Sequence, residues 1–203
     1  MPSKNRAAHK KQSAKQTGVS RKRPELKILS SKVAYKGTVF SVTSDRVAEP
    51  NGITARRDVV RHSGSVVILA VEESAVEPCV LLERQYRYAA ENYLWELPAG
   101  RIDEGETALA GAKRELIEET GYRAREWKRA LFFYPSPGFL DETMTIYLAR
   151  GLRAGEAQPE ADESIECKLI PMTEAVEMVL SGRIRDGKTL AGVLWLAEWL
   201  RHQ

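Results

Sequence analysis

Three glutamates, Glu115, Glu118 and Glu119, stand at i, i+3 and i+4 in one short stretch of the chain. In a helix that spacing puts all three on one face. Like charges so placed repel by ~0.2–0.5 kcal/mol per pair. A fully solvated face tolerates this, and an isolated acidic cluster reads that way. The alternative offset is a hard divalent cation, which takes oxygen ligands; Mg²⁺ is held by a few carboxylates together with phosphate oxygens. Leu109, Ala112 and Leu116, with Ile117 beside them, fall on the other face and would fasten the helix to a core. Arg114 precedes Glu118 by four residues and can pair with it within the helix.

The surroundings of the cluster decide between these readings. Gly100 is followed after five residues by Glu106, and after seven more by Arg114-Glu115-Leu116, with Glu118-Glu119 and Gly121-Tyr122 closing the run. Nine specified positions in 23 residues make chance agreement improbable. This stretch resembles the signature of the Nudix hydrolases. Tyr122 is a mild departure, since that position more often carries an aliphatic residue; it touches packing rather than chemistry.

The resemblance implies a loop-helix-loop that binds divalent metal and a pyrophosphate linked to another group. It implies Glu115 and Glu119 as metal ligands, Glu118 as a further ligand or a partner in catalysis, and the Ala99 carbonyl as another ligand. Glu106 would orient the loop behind them. The metal would be Mg²⁺, with Mn²⁺ able to replace it. Such chemistry suits these residue types: hydrolysis builds negative charge on phosphate oxygens and needs a placed water. A divalent cation neutralises the charge and lowers the pKa of the water, and a separate carboxylate can take the proton.

Flanking segments narrow the branch. Arg84-Gln85-Tyr86-Arg87, Trp95 to Gly100 and Ser136-Pro137-Gly138 resemble the ADP-ribose pyrophosphatases, in which a proline stands near this distance beyond the signature; here Pro137 follows Tyr122 by fifteen residues. The implied reaction splits ADP-ribose or a related nucleoside diphosphate sugar into AMP and a sugar phosphate. The same resemblance makes Glu163, in an acidic loop before Ile165, the expected catalytic base, with Glu142 as its rival. It also suggests a homodimer that exchanges the N-terminal sheet. Arg57 and Arg87 are then candidate contacts for phosphate or ribose, Phe40 or Tyr35 a candidate adenine platform, and Pro137 part of the substrate surface. Guanidinium forks match phosphate oxygens and aromatic faces stack on bases. Two alternatives remain: hydrolysis of a dinucleoside phosphate or an RNA end, and a Nudix-like module that only binds nucleotide or nucleic acid.

The elements that must position these residues are legible in outline. Runs at Leu26 to Ser30, Val33 to Tyr35, Val39 to Val47 and Ile53 to Val60 read as a small antiparallel sheet, with Asn51-Gly52 as a hairpin turn. Further strands are expected at Ser65 to Val71, Cys79 to Leu82, Asn92 to Trp95, Leu131 to Tyr134, Thr143 to Ala149 and Ile165 to Ile170. Helices are expected from Thr107 to Gly121, from Thr173 as N-cap to Gly182, and over about Lys188 to Arg201. The order predicts an α/β protein of the α+β type: a Nudix-like α/β/α sandwich with a mixed sheet, preceded by the small sheet. The expected divisions are a tail at 1–24, the N-terminal sheet at 25–62 and the hydrolase domain at 63–203.

Charge separates along the chain. Lys and Arg total 31 and Asp and Glu 28, but eight basic residues and no acid stand in residues 1–23, leaving a net of −5 for the rest. The polar, aperiodic tail reads as disordered, either inert or a polyanion-binding arm able to contact nucleic acid. No apolar run is long enough to span a membrane, and the N-terminus lacks the apolar core of a secretory signal. Cys79 and Cys167 have no metal-binding spacing and read as free thiols, which fits a cytoplasmic protein.

Overall fold

The structure, a computed structural model, describes residues 26–73, 76–157 and 165–203. The basic tail at 1–24 and the loop acids Glu160, Asp162 and Glu163 lie outside the described residues.

Two sheets organise the molecule. The first is antiparallel and joins β1 (Lys27–Lys36), β2 (Ser41–Ala48) and β3 (Thr54–Arg61) in chain order. The Asn51-Gly52 turn connects β2 to β3, with Gly52 at φ +85°. Two runs expected in the first strand are one continuous β1, whose register slips at Ile28/Ser30 and at Val33/Tyr35. The polar residues between them are carried across these irregularities rather than ending the strand.

The second sheet is mixed and seven-stranded. Its path runs β10 (Glu166–Pro171), β5 (Cys79–Arg87), β4 (Ser65–Glu72), β9 (Met144–Arg153) and β8 (Arg123–Phe133), with β6 (Asn92–Glu96) beside β5 and β7 (Ala99–Arg101) beside β4. Among the described strands of this sheet, only β4 and β9 pair in parallel. The run Val66 to Val71 is continuous in apolar residues because both faces of β4 are covered. Val66, Ile68 and Ala70 meet Ala112 and Leu116 of α1 (Ala108–Thr120). Val67, Leu69 and Val71 meet Met172, Ala175 and Met178 of α2 (Met172–Leu180) and Val193 and Leu196 of α3 (Gly187–Arg201). The protein is therefore a three-layer α/β/α sandwich.

Two local expectations change. Strand β8 begins at Arg123 rather than Leu131, because its charged residues lie exposed on an edge strand, where no second neighbour buries them. Thr173 is not the N-cap of α2: it sits inside the first turn, and its amide and hydroxyl both donate to the Glu77 carboxylate, at 2.7 and 3.1 Å. The cap comes from a distant loop, which no local pattern encodes.

The sheets are clasped together. The Val60 amide donates to the Phe139 carbonyl at 2.8 Å and the Asp141 amide to the Val60 carbonyl at 3.0 Å. Arg61 reaches Asp45 at 2.6 Å and Asp141 at 3.2 Å. This clasp fixes the loop that carries Pro137 against β3.

Candidate active site

Helix α1 is seated by its ends. Thr107 caps it by accepting from the Ala110 amide at 3.2 Å, and Gly121 ends it in the left-handed region at φ +73°. A Cβ on Gly121 would stand 2.6 Å from the Ala157 amide nitrogen. On the cavity side, a Cβ on Gly100 would overlap the Glu115 carboxylate. Glycine at this position is what lets the helix bring its acids against the β7 backbone.

A cavity of about 510 Å³ opens there, lined in part by Ala99, Gly100, Glu115, Glu118 and Glu119, with Arg114 among them. Glu119 is only 6% exposed, and one of its oxygens accepts from the Ala99 amide at 3.0 Å. Arg114 is a hub. Its guanidinium reaches Glu115 at 2.8 Å, Glu118 at 2.9 Å and both oxygens of Glu106 at 3.1 and 3.0 Å, and it donates to the Arg101 carbonyl at 3.0 Å. The i,i+4 pairing of Arg114 with Glu118 is thus observed. These bonds, that to Glu106 foremost, raise the Arg114 pKa above its usual range. The same bond holds the Glu106 carboxyl below its ordinary value. Glu106 also accepts from the Asp103 amide at 3.2 Å, which ties the loop to the helix.

Could these residues hold a divalent cation? The donor set is oxygen throughout, as a hard cation requires. Among the described residues, no three His, Cys, Asp or Glu side chains are placed to hold a metal ion by themselves. Mg²⁺ is commonly held by one or two carboxylates with water and substrate phosphates completing the shell. Glu115, Glu118 and Glu119 beside Ala99 suit that mode of binding. Arg114 currently neutralises two of the same carboxylates.

The remaining sequence candidates are spread around this centre. Arg87 lines the cavity, and its fork donates to both oxygens of Glu96 at 2.8 and 2.9 Å. Glu142 stands behind the wall: it accepts from Ser65, a lining residue, at 2.5 Å, and lies 3.6 Å from His62 Nδ1. His62, which has no evident partner in the sequence, also accepts from the Gly64 amide at 3.1 Å. Pro137 lines a separate hollow of about 260 Å³ with Tyr134, Phe139 and Val59. Phe40 is exposed, with its ring 5.8 Å from that of Tyr35, and its neighbour Val39 reaches the main cavity. Arg57 lies on β3, paired with Glu49, and does not line either hollow.

Several lining residues escape the sequence reading, Lys188 and Ser65 among them. So does the buried Glu96 that holds Lys188 and Arg87. One signal for Lys188 exists: a cation in the first turn of a helix opposes the helix dipole and needs an offset.

Comparison with known proteins fits this geometry. The NUDIX domain family matches residues 60–192. The chain is 37% identical to a methanol dehydrogenase activator of Bacillus methanolicus, over 88% of this chain and 97% of that protein. It is 34% identical to an ADP-ribose pyrophosphatase of Bacillus subtilis, over 85% and 92% of the two chains. An ADP-ribose pyrophosphatase of Mycobacterium tuberculosis is 37% identical, over 84% and 82%. Among solved structures, an ADP compounds hydrolase superposes with a TM-score of 0.76 at 21% identity, over 88% of this chain and 96% of that one, which shows the shared fold. With the signature gathered at one cavity, and the family and relatives matched over most of its length, this chain belongs to the Nudix family.

Proposed function

We propose that the protein hydrolyses the diphosphate bond of ADP-ribose or a related nucleoside diphosphate sugar, using Mg²⁺, with Mn²⁺ able to replace it. The observation that carries this is the gathering of Glu115, Glu118 and Glu119 with Ala99 at a cavity that also presents Arg87. Water adds to one phosphorus, the P–O–P bond breaks, and the bridging oxygen leaves with the other phosphate. The products are AMP and a sugar phosphate. Glu115, Glu118 and Glu119, with the Ala99 carbonyl, would hold the cation, which when bound neutralises phosphate charge and acidifies water. Arg87 would bind the diphosphate, its fork already oriented by Glu96. For the base we propose Glu163, on the family resemblance. Glu142 is the weaker candidate because Ser65 holds it behind the wall. Glu163→Gln should therefore cost more turnover than Glu142→Gln; the reverse order would reassign the role.

The direct test is incubation with ADP-ribose and Mg²⁺ and quantification of AMP. The panel should include ADP-glucose and GDP-mannose, because a GDP-mannose pyrophosphatase of Salmonella paratyphi B is 34% identical over 75% of this chain and 84% of that one. Absence of turnover on every nucleoside diphosphate compound would overturn the proposal.

A homodimer through the N-terminal sheet is part of the same reading. All ten residues of β1 are exposed, Ile28, Leu29, Val33 and Tyr35 among them. Apolar surface of this kind on an open sheet asks for a cover. Light scattering at the mass of one chain would exclude it. Free Cys79 and Cys167 favour a reducing, cytoplasmic setting.

A further inference from the structure

Strands β8 and β9 carry six cations, Arg123, Arg125, Lys128, Arg129, Arg150 and Arg153, against one acid, Glu126. The rest of the chain beyond residue 23 holds 17 basic and 27 acidic residues. A basic stripe on an acidic body makes a local field that draws polyanions.

Local packing accounts for half of these cations. Lys128 and Arg150 lie over the Trp199 ring, 6.0 and 5.8 Å from its centroid, and Arg150 pairs with Glu73 at 2.9 Å. Arg125 pairs with Glu126 at 2.9 Å. Arg123, Arg129 and Arg153 are exposed, and among the described residues none of the three has an ion-pair partner. Arg123 and Arg153 stand directly opposite each other in the β8–β9 register, where like charges destabilise a sheet. Charge on an edge strand wards off stray strands. That accounts for β8 but not for Arg153, which lies on the inner strand β9.

The shape and chemistry of the stripe select the anion. Strand β8 closes the path of its sheet, so among the described strands its outer side is open along 11 residues. At ~3.3 Å per residue that edge runs about 35 Å and is one strand wide, which suits an extended chain. All three unmatched cations are arginines, whose planar forks fit phosphate oxygens better than an ammonium does. Arg129 also lies over the Phe132 ring, 5.1 Å from its centroid, and Phe132 is 45% exposed. Guanidinium and aromatic planes are the surfaces on which unpaired bases stack. An acidic peptide or a lipid headgroup would use the charge and leave those planes idle.

We propose that the outer edge of β8, with Arg153 at the end of β9, binds single-stranded nucleic acid. Phosphates meet Arg123, Arg129 and Arg153, and a base meets the Arg129–Phe132 pair. The Arg123–Arg153 end is separate from the hydrolytic cavity. Met144, the first residue of β9, lines that cavity. Arg153 is the last residue of the same strand, about 30 Å further along at the usual rise.

The test compares the full-length wild type with Arg123→Gln/Arg129→Gln/Arg153→Gln. The probe is a fluorescein-labelled poly(U) RNA of about 20 nucleotides, followed by anisotropy from about 50 to 200 mM KCl. The basic tail is present in both proteins and contributes equally. At the lowest salt the variant should bind about tenfold more weakly or worse, and its log–log salt slope should be shallower by about 2, roughly 0.7 for each lost phosphate contact. Turnover of ADP-ribose should not change. Arg153→Gln alone gives a second reading. Freed of its opposed charge, it should melt at or above wild type while binding the RNA more weakly, as for a residue kept for its ligand at the expense of the fold. The proposal is overturned by a wild type that does not bind the RNA, by a triple variant within about twofold of wild type, or by Arg153→Gln melting below wild type. Equal weakening toward poly-L-glutamate or phosphatidylserine vesicles would make the stripe a site for any polyanion and overturn the assignment to nucleic acid.

Discussion

Glu119 is the residue on which the site turns, because its carboxylate joins α1 to the Ala99 amide at the lip of the cavity. Glu119→Gln keeps the shape and the acceptor but removes the charge. We expect turnover to fall on the order of 100- to 1000-fold, with thermal melting close to wild type; unchanged turnover would remove Glu119 from the proposed metal ligands. Glu96 makes a different prediction. Burial pushes its carboxyl up, but the Arg87 fork and Lys188 outweigh that and hold it below its ordinary value. A carboxylate with a lowered folded-state pKa stabilises the protein above about 4.5, and that contribution is lost as pH falls through the lowered value. Glu96→Gln should therefore lower stability at neutral pH and flatten its decline in acid, read from melting temperatures across pH. The acidic face, with Arg114 pairing to Glu118, was legible because those contacts lie within a helical turn. Lys188 was not, since its partner Glu96 is 92 residues away and the pairing exists only once α3 docks against β6.

At the scale of elements, α1 depends on two glycines for its seat. Gly121→Ala places a Cβ at positive φ, 2.6 Å from the Ala157 nitrogen, and should cost ~1–3 kcal/mol in urea unfolding. Gly100→Ala drives a Cβ into the Glu115 carboxylate; the acid must shift, so turnover should fall more steeply than stability. A Gly100→Ala enzyme with wild-type kcat would show that the close approach is dispensable. The helices declared themselves through periodicity and stop signals: α1 ends at Gly121, and α2 ends at Leu180, two residues before Gly182. Strand β4 showed as an unbroken apolar run since helices cover both its faces. Strand β8 was half hidden because an edge strand tolerates exposed charges such as Arg123, Arg125, Lys128 and Arg129. The first turn of α2 borrowed its acceptor from Glu77, a tertiary contact that α2's own sequence does not announce.

The whole molecule separates its charge, eight cations in residues 1–23 against a net of −5 elsewhere. Deleting residues 1–23 should leave hydrolysis of ADP-ribose unchanged while lowering retention on heparin or RNA; lost hydrolysis would give the tail a part in the reaction. The mixed sheet and its helical cover followed from the alternation of strands and helices. The clasp of β3 onto the Phe139–Asp141 backbone could not be read that way, because main-chain pairing between distant loops leaves no trace in side-chain pattern. The Arg114 hub has a consequence for the protein's history in time. Its guanidinium balances Glu115 and Glu118, so the acidic face of α1 finds part of its counter-charge within the chain itself. Chelator-treated protein should melt within a few degrees of the Mg²⁺-supplemented form, and activity should return within the mixing time of added Mg²⁺ rather than on the schedule of refolding.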